Sequence, residues 1–339
     1  MKDQYRKSSD NVDALFHQAK TAQQGVLLIN LGTPDAPTAP ALRRYLGEFL
    51  ADPRVIEIPK LVWWFILNGI ILRVRPKKSA AKYASVWTPE GSPLLAISKR
   101  QAAAVQAELG GNVHVKLGMR YGNPSIQQAL REFQQEGVRK IIVLPLYPQY
   151  AAATTGSSFD AIAKEIQTWR FVPELHFLNN YCDDELFIDA LTSSIREDFA
   201  QHGKPQKLLF SYHGMPKRNL DLGDPYFCFC QKTTRLVTVK LGLNKEDFLT
   251  TFQSRFGYAE WLQPYTDKTL EELPSIGIKN VAVISPAFSA DCLETLEELA
   301  IENNDVFKEH GGEHYRYIPA LNDRADHIHA LCEILRKHL

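Results

Sequence analysis

The stretch Leu208-Leu209-Phe210-Ser211-Tyr212-His213-Gly214-Met215-Pro216 decides how this chain is read. A short apolar run stops at a histidine, and Gly-x-Pro then turns the backbone away. In an open α/β sheet, residues just past the carboxyl end of a strand face the ligand crevice. A histidine placed there takes up protons near neutral pH, or ligates a metal through a neutral ring nitrogen. A histidine that merely closes a turn is the competing reading, and the motif alone leaves both open.

The first half of the chain echoes this construction. Val26-Leu27-Leu28-Ile29-Asn30-Leu31-Gly32-Thr33-Pro34 is again an apolar strand followed by Gly-x-Pro, with Leu31 where His213 stands. Met119-Arg120-Tyr121-Gly122 is answered by Ser254-Arg255-Phe256-Gly257, and Ile141-Ile142-Val143-Leu144-Pro145 by Val281-Ala282-Val283-Ile284-Ser285-Pro286. Any two α/β units share strand-turn-helix grammar. Three matches in one order nevertheless point to two similar halves whose strand ends open into a shared cleft. Histidine in one half and leucine in the other make its chemistry lopsided.

At 339 residues the chain has room for about two domains. Its 45% hydrophobic and 23% charged content is that of a globular protein. Lys plus Arg and Asp plus Glu both number 39, so no net field draws nucleic acid to the surface. Five cysteines without a regular spacing fit a reducing compartment. Residues 1–24 are polar, lack a signal-peptide core and read as a poorly ordered extension, with a helical turn near 12–16. The expected compartment is the cytoplasm.

Strand patterns fall at 25–31, 113–119, 140–145, 174–178, 207–212, 249–253, 280–285 and 315–318. Helical patterns lie at 39–50, 94–109, 125–136, 158–169, 184–202, 229–241, 269–273, 291–303 and 325–339. This alternation predicts parallel sheets covered by helices. The fold class is therefore α/β, with two Rossmann-like lobes at 25–180 and 181–339, the last helix free to pack back on the first lobe. One stretch stands apart: 61–72, LVWWFILNGIIL, followed by Arg73, Arg75, Lys77 and Lys78. As a helix it spans only about 18 Å, too short for a bilayer core. It reads either as a buried helix or as an exposed apolar lip suited to a large greasy ligand or a membrane interface.

After the strand ending at Pro286 comes Ser289-Ala290-Asp291-Cys292-Leu293-Glu294-Thr295-Leu296-Glu297-Glu298. Asp291 suits an N-cap, and helical spacing places Asp291, Glu294 and Glu298 along one face. Such a row conducts protons or holds a hard cation, unless it only complements the helix dipole. Arg120-Tyr121 sets a cation beside an aromatic face at another strand end, suited to a carboxylate and a planar ring. Tyr147 and Tyr150 can line an aromatic pocket, and the hydroxyls of residues 154–158 can cap the following helix. Dinucleotide and P-loop glycine motifs are missing, as is a nucleophile elbow. Cys228 and Cys230 read as small apolar packing groups, and His327, His329 and His338 as surface residues.

With these motifs in view, the chain resembles the ferrochelatases, which insert Fe2+ into a porphyrin late in haem synthesis. The resemblance is carried by LLINLGTPDAP, GMRYGNP, PLYPQYAAATTGSS, FSYHGMPKRNLDLGDPY, QSRFGYAEWLQPYTD and SPAFSADCLETLEEL, in that order. It implies a porphyrin cleft between two lobes, with His213 as active-site histidine and Glu294 as partner carboxylate, both also metal-binding. It further implies a proton or metal relay through Asp291 and Glu298, and Arg120 and Tyr121 on the opposite wall. Trp261 would line the cleft with Leu31 and Tyr150, and 61–72 would form its lip. Some relatives have a histidine at Cys292. Relatives with a [2Fe–2S] cluster have cysteines at Ala152 and in the tail; this chain has Ala152 and only Cys332, so no cluster and no resident cofactor are expected. Protoporphyrin IX and coproporphyrin III both remain open as substrates. So do a chelatase for another metal and tetrapyrrole, told apart by metal preference, and a porphyrin or haem carrier, which would show no insertion.

Overall fold

The computed structural model describes residues 24–257 and 259–339. The expected extension and its helical turn lie outside them, apart from Gln24, which opens the first strand. The strands form two parallel sheets of four. In the first half β1 (Gln24–Thr33), β2 (Val113–Gly122), β3 (Lys140–Pro145) and β4 (Glu174–Phe177) lie in the order β2-β1-β3-β4. In the second, β5 (Lys207–His213), β6 (Phe248–Gln253), β7 (Asn280–Ile284) and β8 (His314–Ile318) repeat it as β6-β5-β7-β8. The first lobe carries helices α1 (Ala39–Leu50), α2 (Lys60–Ile66), α3 (Leu72–Val86), α4 (Pro93–Leu109), α5 (Ile126–Gln135) and α6 (Ser157–Ile166). The second carries α7 (Glu185–His202), α8 (Lys217–Asp221), α9 (Tyr226–Leu241), α10 (Thr266–Glu272), α11 (Asn303–Glu309) and α12 (Ala325–Arg336).

Local chemistry explains these elements. Val26, Leu27, Leu28 and Ile29 are fully buried on both faces, as a central parallel strand requires. Helix α5 turns Ile126, Ala129, Leu130 and Phe133 inward at helical spacing, and the Ser125 hydroxyl accepts from the Gln128 amide at 3.1 Å to cap it. The Asp184 carboxylate caps α7 through the amides of Leu186 and Phe187. One core joins Val26, Leu28, Ile142 and Leu144 of the first sheet to Phe210, Tyr212, Ala282 and Ile284 of the second. Helix α12 packs on α4 as well as α7.

Several expectations need correction. The helix expected at 291–303 is instead a π-helical segment, Glu294–Glu302, continued by α11. Ala152–Gly156 at the corresponding place in the first lobe is π-helical too, and the 154–158 hydroxyls make no side-chain cap. Helix α8 was not expected. His327 is fully buried, not a surface residue, and burial pushes its imidazole down to about 4. Cys230 is buried as an apolar group would be, whereas Cys228 is exposed.

Candidate active site

The carboxyl ends of β1, β3, β5 and β7 open into one cleft with a cavity of about 190 Å³. Leu31, Gly32, Thr33, Leu146, Tyr147 and Gln149 line it from the first lobe. His213, Gly214, Met215, Pro216, Trp261, Phe288, Cys292 and Glu294 line it from the second. Mostly apolar walls with a few convergent polar groups are the make-up of a ligand site. Two glycines keep the strand ends close. A Cβ on Gly32, whose φ is +103°, would lie 1.7 Å from the Tyr121 carbonyl oxygen, and one on Gly214 would lie 2.5 Å from that of Gln253.

His213 ends β5 half-buried, its ring centroid 6.4 Å from that of Phe288. Its Nδ1 lies 2.7 Å from the Gly214 carbonyl oxygen, which can only accept; Nδ1 therefore carries the hydrogen and Nε2 keeps the lone pair. Gln253, the register partner of His213 on β6, ties this strand end to Glu294. Its Oε1 accepts from Ser211 Oγ at 2.7 Å, and its Nε2 donates to the Glu294 carbonyl oxygen at 3.1 Å. The imidazole and the carboxylate, 81 positions apart, are thus held on one cleft.

Behind Glu294 stands Glu298. Its carboxylate accepts from the Ser254 amide at 2.7 Å and from the Ser254 hydroxyl. Burial pushes this carboxyl above the usual carboxylate range, against the Ser254 hydrogen bonds and the nearby His213, and the Glu294 charge adds to the rise. Asp291 does not join the row. It is buried below the cleft, where its carboxylate accepts from Tyr317 Oη and Asn322 Nδ2, both at 2.7 Å, and from Thr295 Oγ1 at 2.9 Å. A winding wider than the α-helix, and a start after Asp291, break the expected single face.

The opposite wall also differs from expectation. Arg120 and Tyr121 do not reach the cleft surface. The Arg120 guanidinium donates to Asp52 at 2.5 Å and to Ser157 Oγ at 2.6 Å, and the fully buried Tyr121 hydroxyl donates to Asp52 at 2.9 Å. Burial would raise the Asp52 carboxyl, but hydrogen bonds from Ser157, the Arg54 amide and Tyr121, with the Arg120 charge, hold it below the usual range. Tyr150 likewise stands off the cleft, beside Arg54. The phenols that do line it are Tyr147, as expected, with Tyr45, Tyr83 and Tyr226. Desolvation raises Tyr45 and Tyr83 most, and the Glu294 charge raises both further. No motif flags the helical Tyr45 and Tyr83 in the sequence, whereas Ser254 lies inside a repeated block.

The segment 61–72 is an exposed lip, not a buried helix. Leu61 is 72% and Trp64 57% exposed, whereas Trp63 is 9% exposed and donates Nε1 to the Leu50 carbonyl at 2.6 Å. Its inner face packs with Leu31, Tyr45, Phe49 and Tyr83 of the cleft rim, and Arg73, Lys77 and Lys78 are exposed beside it. Among the described residues no helix is long and apolar enough to cross a membrane.

Known proteins match this architecture. The ferrochelatase family profile matches residues 23–339. "Ferrochelatase 2" of Shewanella oneidensis is 63% identical over 324 residues, covering 95% of this chain and 99% of that protein. "Ferrochelatase" of Shewanella denitrificans is 58% identical over 334 residues, covering 94% and 99%. Among solved structures, SirB from Bacillus subtilis with Fe3+ aligns with a TM-score of 0.53 at 11% identity, covering 93% of this chain and 95% of that one. CbiX, described as the terminal enzyme of siroheme biosynthesis in denitrifying bacteria, aligns at 0.51 and 10% identity, covering 94% and 99%; at such identities the likeness is one of fold. By its sequence, from end to end of the two lobes, this chain belongs to the ferrochelatase family.

Proposed function

We infer that the protein is a lyase that inserts Fe2+ into a porphyrin, protoporphyrin IX or coproporphyrin III, with release of two protons in haem synthesis. The observation that carries this reading is the convergence of His213 and Glu294 on one apolar cleft between the two lobes. A planar porphyrin hides its nitrogen lone pairs, so bending the ring exposes them; contacts with the rest of the substrate can supply about 1–5 kcal/mol of that strain. His213 accepts pyrrole protons at Nε2, the nitrogen left basic by the Gly214 hydrogen bond. Glu294 holds the incoming cation or the second proton. Glu298, whose carboxyl burial pushes above the usual carboxylate range, passes protons outward toward Ser254.

Arg120 and Tyr121 brace the first-lobe wall through Asp52 rather than touch the ring. Asp291 is likewise a brace. Trp261, whose indole nitrogen is buried without a partner among the described residues, and Leu31 flank the macrocycle. Among the described residues no group of His, Cys, Asp and Glu is arranged to hold a metal, and we propose that the enzyme works without a resident cofactor. The lip, apolar outside and flanked by exposed basic residues, suits peripheral contact with an anionic lipid surface from the cytoplasmic side. Nothing in the balanced charge calls for a nucleic-acid partner.

Anaerobic Fe2+ insertion assays with both porphyrins test the assignment: the expected result is turnover of at least one, with ferrous iron preferred over cobalt and nickel. Binding of either porphyrin without insertion would instead mark a carrier. For the lip, replacing Trp64 and Phe65 by serine is expected to weaken binding to anionic vesicles about tenfold or more while insertion into detergent-dispersed porphyrin persists.

A further inference from the structure

Helix α4 belongs to the first lobe, yet its buried polar face holds both sides of the cleft. Ser92 Oγ accepts from Thr33 Oγ1 at 2.8 Å, and Ser98 Oγ accepts from Asn30 Nδ2 at 3.1 Å, so two residues fix the end of β1. One turn further on, the fully buried Gln101 reaches into the other lobe. Its Nε2 donates to the Ser289 carbonyl at 2.9 Å and to the Asn322 carbonyl at 3.0 Å. Between these polar contacts Leu94 and Ile97 of α4 pack on Ala290 and Cys292.

The segment so held is the one that delivers Glu294. Asn322 stands at φ +49°, a conformation asparagine tolerates better than most residues. Its Oδ1 accepts from the Asp291 amide at 2.8 Å, and its Nδ2 donates to the Asp291 carboxylate at 2.7 Å. Gln101 therefore grips the start of the Glu294 segment at Ser289 directly and at Asp291 through Asn322. Burying an amide is costly unless its hydrogen bonds are made, and here both N–H groups are spent on the opposite lobe while Oε1 finds no partner among the described residues.

We propose that Gln101 is a positioning residue: through its two hydrogen bonds α4 acts as a strut that sets the distance of Glu294 from the first-lobe wall. The claim rests on the insertion reading only where turnover is the readout. Gln101→Met keeps the volume and removes both bonds; Asn322→Gly keeps the backbone conformation and removes the grip on Asp291. Two measurements decide the matter in the full-length protein: alkylation of Cys292 by N-ethylmaleimide, followed by peptide mass spectrometry, and Fe2+ insertion with kcat and KM separated.

In both variants Cys292 should alkylate at least about tenfold faster while the buried Cys230 and Cys332 stay protected, and kcat should fall about tenfold to a hundredfold with porphyrin KM within about threefold. In Gln101→Glu only the protonated acid can donate, so its rate relative to wild type should rise as pH falls, whereas the Gln101→Met ratio stays flat. Unchanged Cys292 reactivity in Gln101→Met overturns the strut, as does loosening of all four buried thiols, Cys182 among them, which marks a merely structural role. A wild type that inserts no iron overturns the insertion reading instead, and Cys292 reactivity still decides the strut.

Discussion

The two lobes share a strand order, a Gly-x-Pro turn after the first strand of each sheet and a π-helical segment after the third. They part company at the strand ends. β1 presents Leu31 where β5 presents His213. At the end of β2, Arg120 and Tyr121 turn inward to a carboxylate held below its usual range, Asp52. After β6, the answering block runs at the surface: Arg255 stacks 4.6 Å from the Tyr265 ring centroid and Phe256 is exposed, while Ser254 grips Glu298, whose carboxyl is pushed up. One scaffold thus carries a fixed charge that ties a wall together and, opposite it, a carboxyl whose ionised form burial disfavours. Repeating a fold supplied the cleft; a few strand-end residues divided its labour.

The sharpest way to break this contrast is to make the lobes alike. His213→Leu gives β5 the residue of β1 and should cut Fe2+ insertion by about 10³-fold, the scale of losing a positioned base, while porphyrin fluorescence titration still reports binding. Adding Leu31→His should not restore turnover, because that strand end has no partner carboxylate; recovery in the double variant would mean that the lobes are interchangeable.

Next in size is the fixed charge. Asp52→Asn leaves the partly buried Arg120 without its counter-charge and should cost about 3 kcal/mol in denaturant unfolding at pH 7. Since Asp52 titrates below its ordinary value of 3.8 in the folded protein, its contribution is present above that pH and is lost as pH falls through the folded value. The gap between variant and parent should therefore close in acid. An equal gap at pH 7 and pH 3 would remove Asp52 as the wall's electrostatic tie.

Helix α12 serves both lobes, and its buried His327 adds a smaller, pH-bound effect. The imidazole titrates at about 4 in the folded protein against 6.5 for the free group, with Nδ1 donating to the Asn322 carbonyl at 2.7 Å. The unfolded chain takes up the proton first, so stability falls as pH drops from 6.5 to about 4, by roughly 3 kcal/mol in all. His327→Phe should flatten that slope, at the cost of about 1 kcal/mol at pH 7 for the lost hydrogen bond. A slope unchanged by the substitution would assign acid lability to the carboxylates.

Much of this was legible in the sequence because the signals were periodic or local. The apolar runs at 140–145 and 207–212 coincide with β3 and with β5 short of His213, and the repeated Gly-x-Pro announced two equivalent strand ends. His213 and Leu31 sit on the cleft because position at a strand end is a backbone property, and Glu294 and Trp261 line it from the segments that follow β7 and β6. Whether Arg120, Tyr121 and Asp291 point into the cleft depends on partners far along the chain, Asp52, Tyr317 and Asn322, which local pattern does not reveal. The same holds for His327, whose burial follows from α12 crossing to α4. The π-helical winding at Glu294–Glu302 was out of reach too: an α-helical wheel cannot register an i→i+5 turn.

Glu298 gives the smallest effect and the finest discrimination between a tie and a relay. Its folded-state carboxyl titrates above the ordinary 4.5, so the folded protein holds that proton to higher pH than the unfolded chain. Its contribution to stability is then greatest in acid and declines as pH rises from 4.5 through the folded value. Glu298→Gln removes this penalty and keeps an acceptor for Ser254. It should leave the protein as stable as the parent at pH 7 or more stable, by about 1 kcal/mol, while slowing insertion about tenfold. The pairing of signs is the test: Asp52→Asn loses stability because its charge is structural, whereas Glu298→Gln loses rate without losing stability because its proton is used. A Glu298→Gln enzyme that unfolds more readily and turns over normally would reverse the roles given to the two carboxyls.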